Sequence, residues 1–367
     1  MDAQEEHPLI SVNDDLPYPI VVAPDVRPFL RSLLSDRGYR RFVVLADANP
    51  AVMAIARRVV RGMPGRLAIV PVALGERRKR LSTLEHVLDR LLACGADRGT
   101  LVVGVGGGVA GDLFGFAAAT YMRGVAYAHI ATSLVAMCDA SIGGKTGVDL
   151  AGGKNAAGVF SDPVAVFAPS DAIDTLPFRH LREGLAETVK HGIIEGHDLF
   201  DALEELAPHP FSRWPWPGIV TASIKVKTAI VADDRTERGP RAVLNLGHTF
   251  AHGIERASDF RISHGAAVSL GLRAAGLLAL RMRRWERSEH LRVLTLLALL
   301  RLPMVMPLRP AAVLRAMQAD KKKRNGRLRF VLPNAIGDVE YGIEAPERLV
   351  LDVLADLTRP PQRSESA

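Results

Sequence analysis

Short apolar runs rich in β-branched residues alternate with amphipathic stretches over the first half of the chain. Apolar positions recur with helical spacing over residues 81–93, and the box from Ser82 to Glu85 is typical of a helix N-terminus. Strands that alternate with helices are typical of a mostly parallel sheet. The pattern therefore predicts an α/β domain over residues 1–172, with strands at 19–22, 42–46, 67–72, 101–105, 126–130 and 164–168.

The pattern changes after Pro177. Nearly every segment from 179 to 319 has helical periodicity, and the run 328–332 is the only later one that predicts a strand. We therefore expect a mainly α-helical C-terminal domain over residues 173–358, followed by a disordered polar tail over 359–367.

The composition is that of a folded protein. With 367 residues, of which 48% are hydrophobic and 24% charged, the chain is long enough for two domains with a buried core. No apolar run reaches the roughly 18 residues of a membrane span, and the acidic N-terminus lacks the apolar core of a signal peptide. We therefore expect a cytoplasmic protein without membrane contact. Because only Cys94 and Cys138 are present, any metal site is expected to use histidines and carboxylates.

The net charge of +7 suits an anionic small-molecule substrate as well as nucleic acid. The chain has no basic tail and no interleaving of basic and aromatic residues, and aromatic residues make up only 5%. Only nine of the 47 basic residues are lysine, which suggests that lysine is kept where a compact ammonium group is needed.

Two glycine-rich segments are candidates for phosphate chemistry. Gly106-x-Gly108-x-x-Gly111 lies between a strand and a helix, where backbone N–H groups can meet a pyrophosphate. The acidic residue that usually follows about 20 positions later is absent, so a dinucleotide would be bound by a variant of this architecture. The second segment, 143–155, fails the P-loop spacing but carries lysine, asparagine and aspartate that can bind an oxyanion and hydroxyls, or it is a flexible surface loop.

Three histidines are candidate metal ligands. His248 and His252 are four residues apart on one predicted helix, and His264 follows after a short loop. Two or three histidines with one carboxylate suit an open zinc-type site, and Glu187 is the carboxylate that we expect there. Glu187 and Lys190 share a helix face, where a surface ion pair is the ordinary interpretation.

The chain resembles the 3-dehydroquinate synthase family of the sugar phosphate cyclase superfamily. The similarity runs from about Asp47 to Tyr341. An ordered set of motifs carries it: GERRK (75–79), GGGVAGD (106–112), AATYMRG (118–124), GGKTG (143–147), GKN (153–155), LAE (185–187), KHG (190–192), LNLGHT (244–249) and DKK (320–322).

This resemblance implies a lyase that depends on NAD⁺ and on a divalent metal, Zn²⁺ or Co²⁺. Enzymes of the family convert 3-deoxy-D-arabino-heptulosonate 7-phosphate (DAHP) into 3-dehydroquinate and phosphate, a step of the shikimate pathway to aromatic amino acids. The steps are alcohol oxidation, phosphate elimination, ketone reduction, ring opening and aldol closure. The implied partners are an anionic sugar phosphate and a second copy of the chain in a homodimer, without nucleic acid or membrane.

The resemblance also assigns residues to roles. The implied metal ligands are Glu187, His248 and His264, and the implied catalytic residues are Glu237, His252, Lys145 and Lys190. The implied substrate-binding residues are Arg123, Asp139, Lys145, Asn155, Lys190, Lys227, Arg241, Asn245, His252, Lys321 and Lys322. The implied NAD-binding residues are Asp47, Asn49, Glu76, Lys79, Gly107, Gly108, Asp112, Thr132, Ser133, Lys154 and Thr175. We expect the lysines and Arg241 to be unpaired cations that a multiply anionic substrate compensates.

Three positions depart from the family pattern. Ala266 stands where the family usually has glutamate, Arg235 replaces the second acid of a common Asp-Glu pair, and Asp149 stands where asparagine is frequent. A cyclase for another sugar phosphate, such as an aminodehydroquinate or valiolone-type synthase, is the nearest alternative. A metal-dependent alcohol or glycerol dehydrogenase, with a similar two-domain plan, and a noncatalytic relative with a binding role are the others.

Overall fold

The computed structural model describes residues 10–12, 15–321 and 328–361. The chain forms two compact units. The sheet unit comprises Met1–Pro177 and Pro215–Thr236, and the helical unit comprises Phe178–Trp214 and Glu237–Ala367. No helix among the described residues is both long enough and apolar enough to cross a membrane.

The described residues form eleven strands and twelve α-helices. The strands are β1 Ile10–Val12, β2 Ile20–Ala23, β3 Arg41–Asp47, β4 Arg66–Val72, β5 Thr100–Gly106, β6 Tyr127–Ala131, β7 Lys145–Leu150, β8 Gly153–Phe160, β9 Ala165–Pro169, β10 Arg329–Ala335 and β11 Asp338–Glu344. The helices are α1 Arg27–Asp36, α2 Pro50–Val59, α3 Leu81–Ala93, α4 Gly108–Thr120, α5 Phe178–Glu195, α6 His197–Leu206, α7 Trp216–Asp233, α8 His248–Ala257, α9 His264–Arg281, α10 Arg287–Leu299, α11 Pro310–Lys321 and α12 Glu347–Asp356.

A seven-stranded sheet forms the centre of the sheet unit. Its strand order is β1-β2-β9-β6-β5-β3-β4, in which β1 is antiparallel to β2 and the other six strands are parallel. Every residue of β5 is buried, as expected for a parallel strand that is covered on both faces. All six strands predicted from the apolar runs are confirmed.

Two local predictions differ from the structure. Helix α3 begins at Leu81 with Arg80 as its N-cap and no side-chain cap, so the box from Ser82 to Glu85 does not cap the helix. Strands β7 and β8 form an antiparallel hairpin in the second glycine-rich segment. A Cβ atom on Gly158 would lie 2.1 Å from the Thr146 carbonyl oxygen, so glycine allows the two strands to approach.

The helical unit contains α5, α6, α8 to α12, β10 and β11. The strand predicted over 328–332 is confirmed as part of β10, which pairs with β11. The sequence placed residues 215–236 in this unit, but α7 packs on β2 and on a π-helical turn over Ala136–Ala140 of the sheet unit. Its buried residues Ile219, Ile224 and Val231 follow a helical pattern. Such a pattern predicts a helix but does not show which unit the helix packs against. Residues 362–367 of the predicted tail lie outside the described residues.

Candidate functional site

The first glycine motif forms a tight turn between β5 and α4. A Cβ atom on Gly106 would lie 2.4 Å from the Cβ atom of Ala110, so a larger residue does not fit. The Asp47 side chain is 3.6 Å from the same position, because β3 is the neighbour of β5 and parallel strands end at the same sheet edge. An acidic side chain at the end of β3 thus lies beside the turn, whereas none directly follows β6.

The buried ammonium group of Lys79 connects α4, the helix that follows the glycine turn, to the β7–β8 hairpin. Lys79 is 3% exposed, and its Nζ atom donates to the Asp112 carboxylate and to the Asn155 side-chain oxygen. Burial raises the pKa of Asp112, and the charge of Lys79 opposes that shift. The sequence placed Asn155 with the substrate, whereas its described side-chain contact is with a residue of the expected cofactor set.

The other expected NAD-binding residues also belong to the sheet unit. Lys154 pairs with Glu76 at 2.8 Å. The Asn49 side chain caps α2 by accepting from the Ala51 N–H, and the Asn49 backbone N–H donates to the Asp47 carboxylate. Three hydroxyl residues complete the expected set: Thr132, which is buried, Ser133, which lies against Gly107, and Thr175, which donates to the Ala172 carbonyl.

The substrate candidates of the sheet unit have different surroundings. Lys227 of α7 is 6% exposed and donates to both the carboxylate and the carbonyl oxygen of Asp139. Lys145 is exposed at the start of β7. Arg123 is exposed and has a left-handed φ of 71°, a conformation that non-glycine residues adopt mostly at tight turns and functional sites.

Three helices of the helical unit bring together the expected metal ligands. Glu187 lies on α5, His248 is the first residue of α8 and His264 is the first residue of α9. Each offers a donor atom, and these atoms lie within 4.8 Å of one another. The distances to Glu187 Oε1 are 2.9 Å from His264 Nε2 and 3.5 Å from His248 Nε2. In the described part of the chain this is the only such group.

Glycine residues allow the backbones around these ligands to approach closely. A Cβ atom on Gly265, next to His264, would lie 2.3 Å from the Glu183 carbonyl oxygen of α5. A Cβ atom on Gly271 of α9 would lie 2.2 Å from the carbonyl oxygen of Gly247, which precedes His248. Main chain thus meets main chain between α9 and each of the other two ligand-bearing segments.

The charges in the cluster favour a cation. Glu187 and Lys190 are fully buried and 2.6 Å apart, so the surface ion pair expected from the sequence was wrong. Burial opposes ionisation of Glu187, but Lys190 and the two imidazoles outweigh it and hold the carboxyl pKa well below its usual range. Burial likewise opposes protonation of His264, but hydrogen bonds to Glu187 and Glu255 outweigh it and raise the His264 pKa to about 10.

The hydrogen bonds of the two imidazoles fit metal ligation. His248 Nδ1 is 3.1 Å from the Leu246 carbonyl oxygen, and His264 Nδ1 is 3.2 Å from Glu255 Oε1. Both Nδ1 atoms are engaged away from the cluster, which directs Nε2 toward it, as in metal-bound histidines. The sequence analysis missed Glu255, although its spacing from His248 and His252, at i+7 and i+3, places all three on one face of α8.

Four other expected site residues of the helical unit, Asn245, Glu237, Arg241 and His252, are among the described residues. Asn245 donates to Glu237 Oε1 at 2.5 Å, and Glu237 has a left-handed φ of 56°. Arg241 is buried, and the His252 ring contacts the His248 ring edge to face. The side chain of Lys321 and all of Lys322 lie outside the described residues.

The expectation of unpaired cations was wrong for two lysines. Lys190 pairs with Glu187, and Lys227 pairs with Asp139. The physical reason is burial, because an ammonium group that has lost its water needs a carboxylate or other acceptor nearby.

Comparisons with known proteins match one family in two successive parts of the chain. The 3-dehydroquinate synthase N-terminal family matches residues 69–183, and the 3-dehydroquinate synthase C-terminal family matches residues 184–323. A 3-dehydroquinate synthase of Gloeobacter violaceus is 40% identical over 322 residues, which cover 85% of this chain and 89% of that protein. One of Nostoc punctiforme is 36% identical over 358 residues, which cover 94% and 98%.

The fold is also similar to that of a solved cyclase. The structure of 2-epi-5-epi-valiolone synthase from Streptomyces hygroscopicus subsp. jinggangensis, with NAD⁺ and Zn²⁺ bound, has a TM-score of 0.84 and 28% identity. The similarity covers 95% of this chain and 98% of that one.

Proposed function

Because the chain belongs to the 3-dehydroquinate synthase family, we propose that it converts DAHP into 3-dehydroquinate and inorganic phosphate, with NAD⁺ and a divalent metal as cofactors. It is a carbon–oxygen lyase in which the hydride that leaves the substrate later returns to it. The observation that carries the proposal is the convergence of Glu187, His248 and His264 on one point.

The metal ligands in this proposal are Glu187 Oε1, His248 Nε2 and His264 Nε2. A bound Zn²⁺ or Co²⁺ supplies Lewis acidity that lowers the pKa of a substrate hydroxyl. Two nitrogens and one carboxylate oxygen form the donor set of open zinc sites, which leave positions for substrate oxygens. Lys190 keeps Glu187 ionised through their buried ion pair.

In this proposal the sheet unit would hold the NAD⁺. The first N–H groups of α4 would donate to its pyrophosphate, whose charge the N-terminal end of a helix favours. Asp47 would accept hydrogen bonds from the ribose hydroxyls, the role of the acid at a strand end in dinucleotide-binding sheets. Lys79 and Lys154, each paired with a carboxylate, would offer ammonium donors beside the turn.

Several of the proposed substrate-binding residues are held in hydrogen-bonded pairs, which offer donors and acceptors to the substrate. Lys227 and Asp139 together offer an ammonium and a carboxylate to substrate hydroxyls, and the Arg241 guanidinium suits a carboxylate. Glu237, which Asn245 holds in place, and His252 are assigned to proton transfer. The other proposed substrate contacts are Lys145, Lys190, Asn155, Arg123, Lys321 and Lys322.

A phosphate-release assay with DAHP tests this function. We expect one phosphate per substrate consumed, a requirement for catalytic NAD⁺, and no lasting accumulation of NADH. Steady NADH formation in proportion to substrate, without phosphate release, would favour the dehydrogenase alternative. Release of phosphate without any NAD⁺, bound or added, would contradict both. Assays with an amino-substituted substrate in parallel separate the aminodehydroquinate alternative.

Two finer properties stay predictions. The homodimer implied by the resemblance is tested by light scattering of the purified protein. Localisation in the cytoplasm is tested by cell fractionation.

A further inference from the structure

The histidines of the metal cluster differ in how they are held. His248 is packed, with its side chain 11% exposed, and a neutral backbone carbonyl accepts from its Nδ1 atom. His264 is the first residue of its helix, and its side chain is 34% exposed. Packing therefore restrains the His264 ring less, and its orientation depends more on its hydrogen bond.

The partner of that hydrogen bond is a carboxylate in an unfavourable position. Glu255 is 3% exposed and lies in the last turn of α8. Burial penalises its charge, and the negative end of the helix dipole also repels a carboxylate there. A charged group in such a place requires compensation by a nearby cation or strong donor, and His264 Nδ1 is 3.2 Å away.

The charges of the buried side chains also indicate that Glu255 supports cation binding. Glu187 and Glu255 carry two negative charges, and Lys190 carries one positive charge. With both imidazoles neutral, as metal ligation requires, the cluster therefore has one negative charge in excess, which complements a divalent cation.

We infer that Glu255 is a positioning residue of the metal site: it fixes the His264 ring with Nε2 toward the metal and raises metal affinity through its charge. The inference rests on the proposed function, because it presupposes the metal ligands named above. Removal of such outer partners typically costs about 10- to 100-fold in metal affinity.

The test is Co²⁺ binding, measured by chelator competition together with the visible absorption spectrum of the bound ion. Glu255→Ala removes hydrogen bond and charge, and we expect its Co²⁺ dissociation constant to rise about 10- to 100-fold with an altered spectrum. Glu255→Gln keeps an acceptor of the same size, and we expect a smaller rise, of at most about tenfold. If Glu255→Ala fails to fold, Glu255→Gln alone decides.

Glu289→Gln is the matched control. Glu289 accepts from the Trp285 indole and the Ile336 N–H in the same unit, and its variant should bind Co²⁺ as the wild type does. Wild-type affinity and spectrum in both Glu255 variants, or an equal loss in the control, would overturn the role of Glu255. Failure of the wild type to bind stoichiometric Co²⁺ would overturn the proposed metal site itself and this inference with it.

Discussion

The glycine turn of the sheet unit and the ligand cluster of the helical unit use glycine in opposite ways. A Cβ atom on Gly107 would meet only the Ser133 side chain, and no backbone of another segment lies within 4 Å. Cβ atoms on Gly265 and Gly271 would meet the backbone of other segments, so that space is already filled by protein. In the first arrangement only a side chain limits the space beside the glycine, and in the second the close backbone contact positions side-chain ligands.

This difference explains why one site follows from a contiguous motif and the other does not. The turn joins a strand to the helix that follows it, so a few adjacent residues define it. The metal cluster depends on contacts between segments that are distant in the chain. A single substitution should therefore affect the two sites to different extents.

The largest effect is expected from His248→Ala. Loss of one of three ligands should remove stoichiometric metal and lower kcat/KM at least about a thousandfold, equivalent to about 4 kcal/mol. Metal analysis and the phosphate-release assay measure this. His197→Ala, an exposed histidine on α6 that contacts Asp201, is the control and should change neither. Full activity with bound metal in His248→Ala contradicts the ligand set.

Each unit also buries a histidine whose pKa is lowered, and these two histidines predict acid sensitivity. Burial lowers the pKa of His129 in the sheet unit to about 4, against a backbone hydrogen bond to Gly106. Burial and the charges of Arg273 and Arg287 lower the pKa of His290 in the helical unit to about 4. The unfolded chain binds these protons below about pH 6.5, so the free energy of unfolding should fall as the pH drops from 6.5 to 4.

The expected loss is about 3 kcal/mol for each histidine. Chemical denaturation at several pH values measures it in the wild type, His129→Gln and His290→Leu. Each variant should show a flatter pH dependence. An unchanged slope in both variants would show that other groups cause the acid sensitivity.

Gly265→Ala should produce a smaller but more specific effect. The added methyl group meets the Glu183 backbone, so α9 must move and His264 moves with it. We expect a destabilisation of about 1 to 3 kcal/mol, together with weaker metal binding. Gly218→Ala is the matched control, because nothing lies within 4 Å of its Cβ position in α7. It should stabilise the protein by roughly 0.5 to 1 kcal/mol and leave metal binding unchanged.

Asp47→Asn is expected to have the smallest effect. In the proposed cofactor site it removes the charge that would accept from the ribose but leaves the backbone donors of the turn. The KM for NAD⁺ should rise roughly tenfold, about 1.4 kcal/mol, with little change in kcat. Steady-state kinetics with NAD⁺ as the varied substrate measures this, and an unchanged KM would remove Asp47 from the cofactor site.

The sequence predicted those features that local pattern determines. The buried strands were identifiable because each is a short apolar run, and the turn was identifiable from Gly106, Gly108 and Gly111. The hairpin over β7 and β8 was not, because its glycines remove the alternation that marks a strand. Glu255 was missed because a single glutamate in a helix is usually solvated, and only the contact with His264 distinguishes it.

The order of segments along the chain has a consequence for biosynthesis. Helix α7 completes the sheet unit, yet it is synthesised after α5 and α6 of the helical unit. A nascent chain that ends at residue 177 therefore leaves the surface beneath Ile224 and Val231 exposed to water. The ribosome must deliver more than 230 residues before this unit can close, and until then its uncovered apolar face is a substrate for chaperones or a site of aggregation.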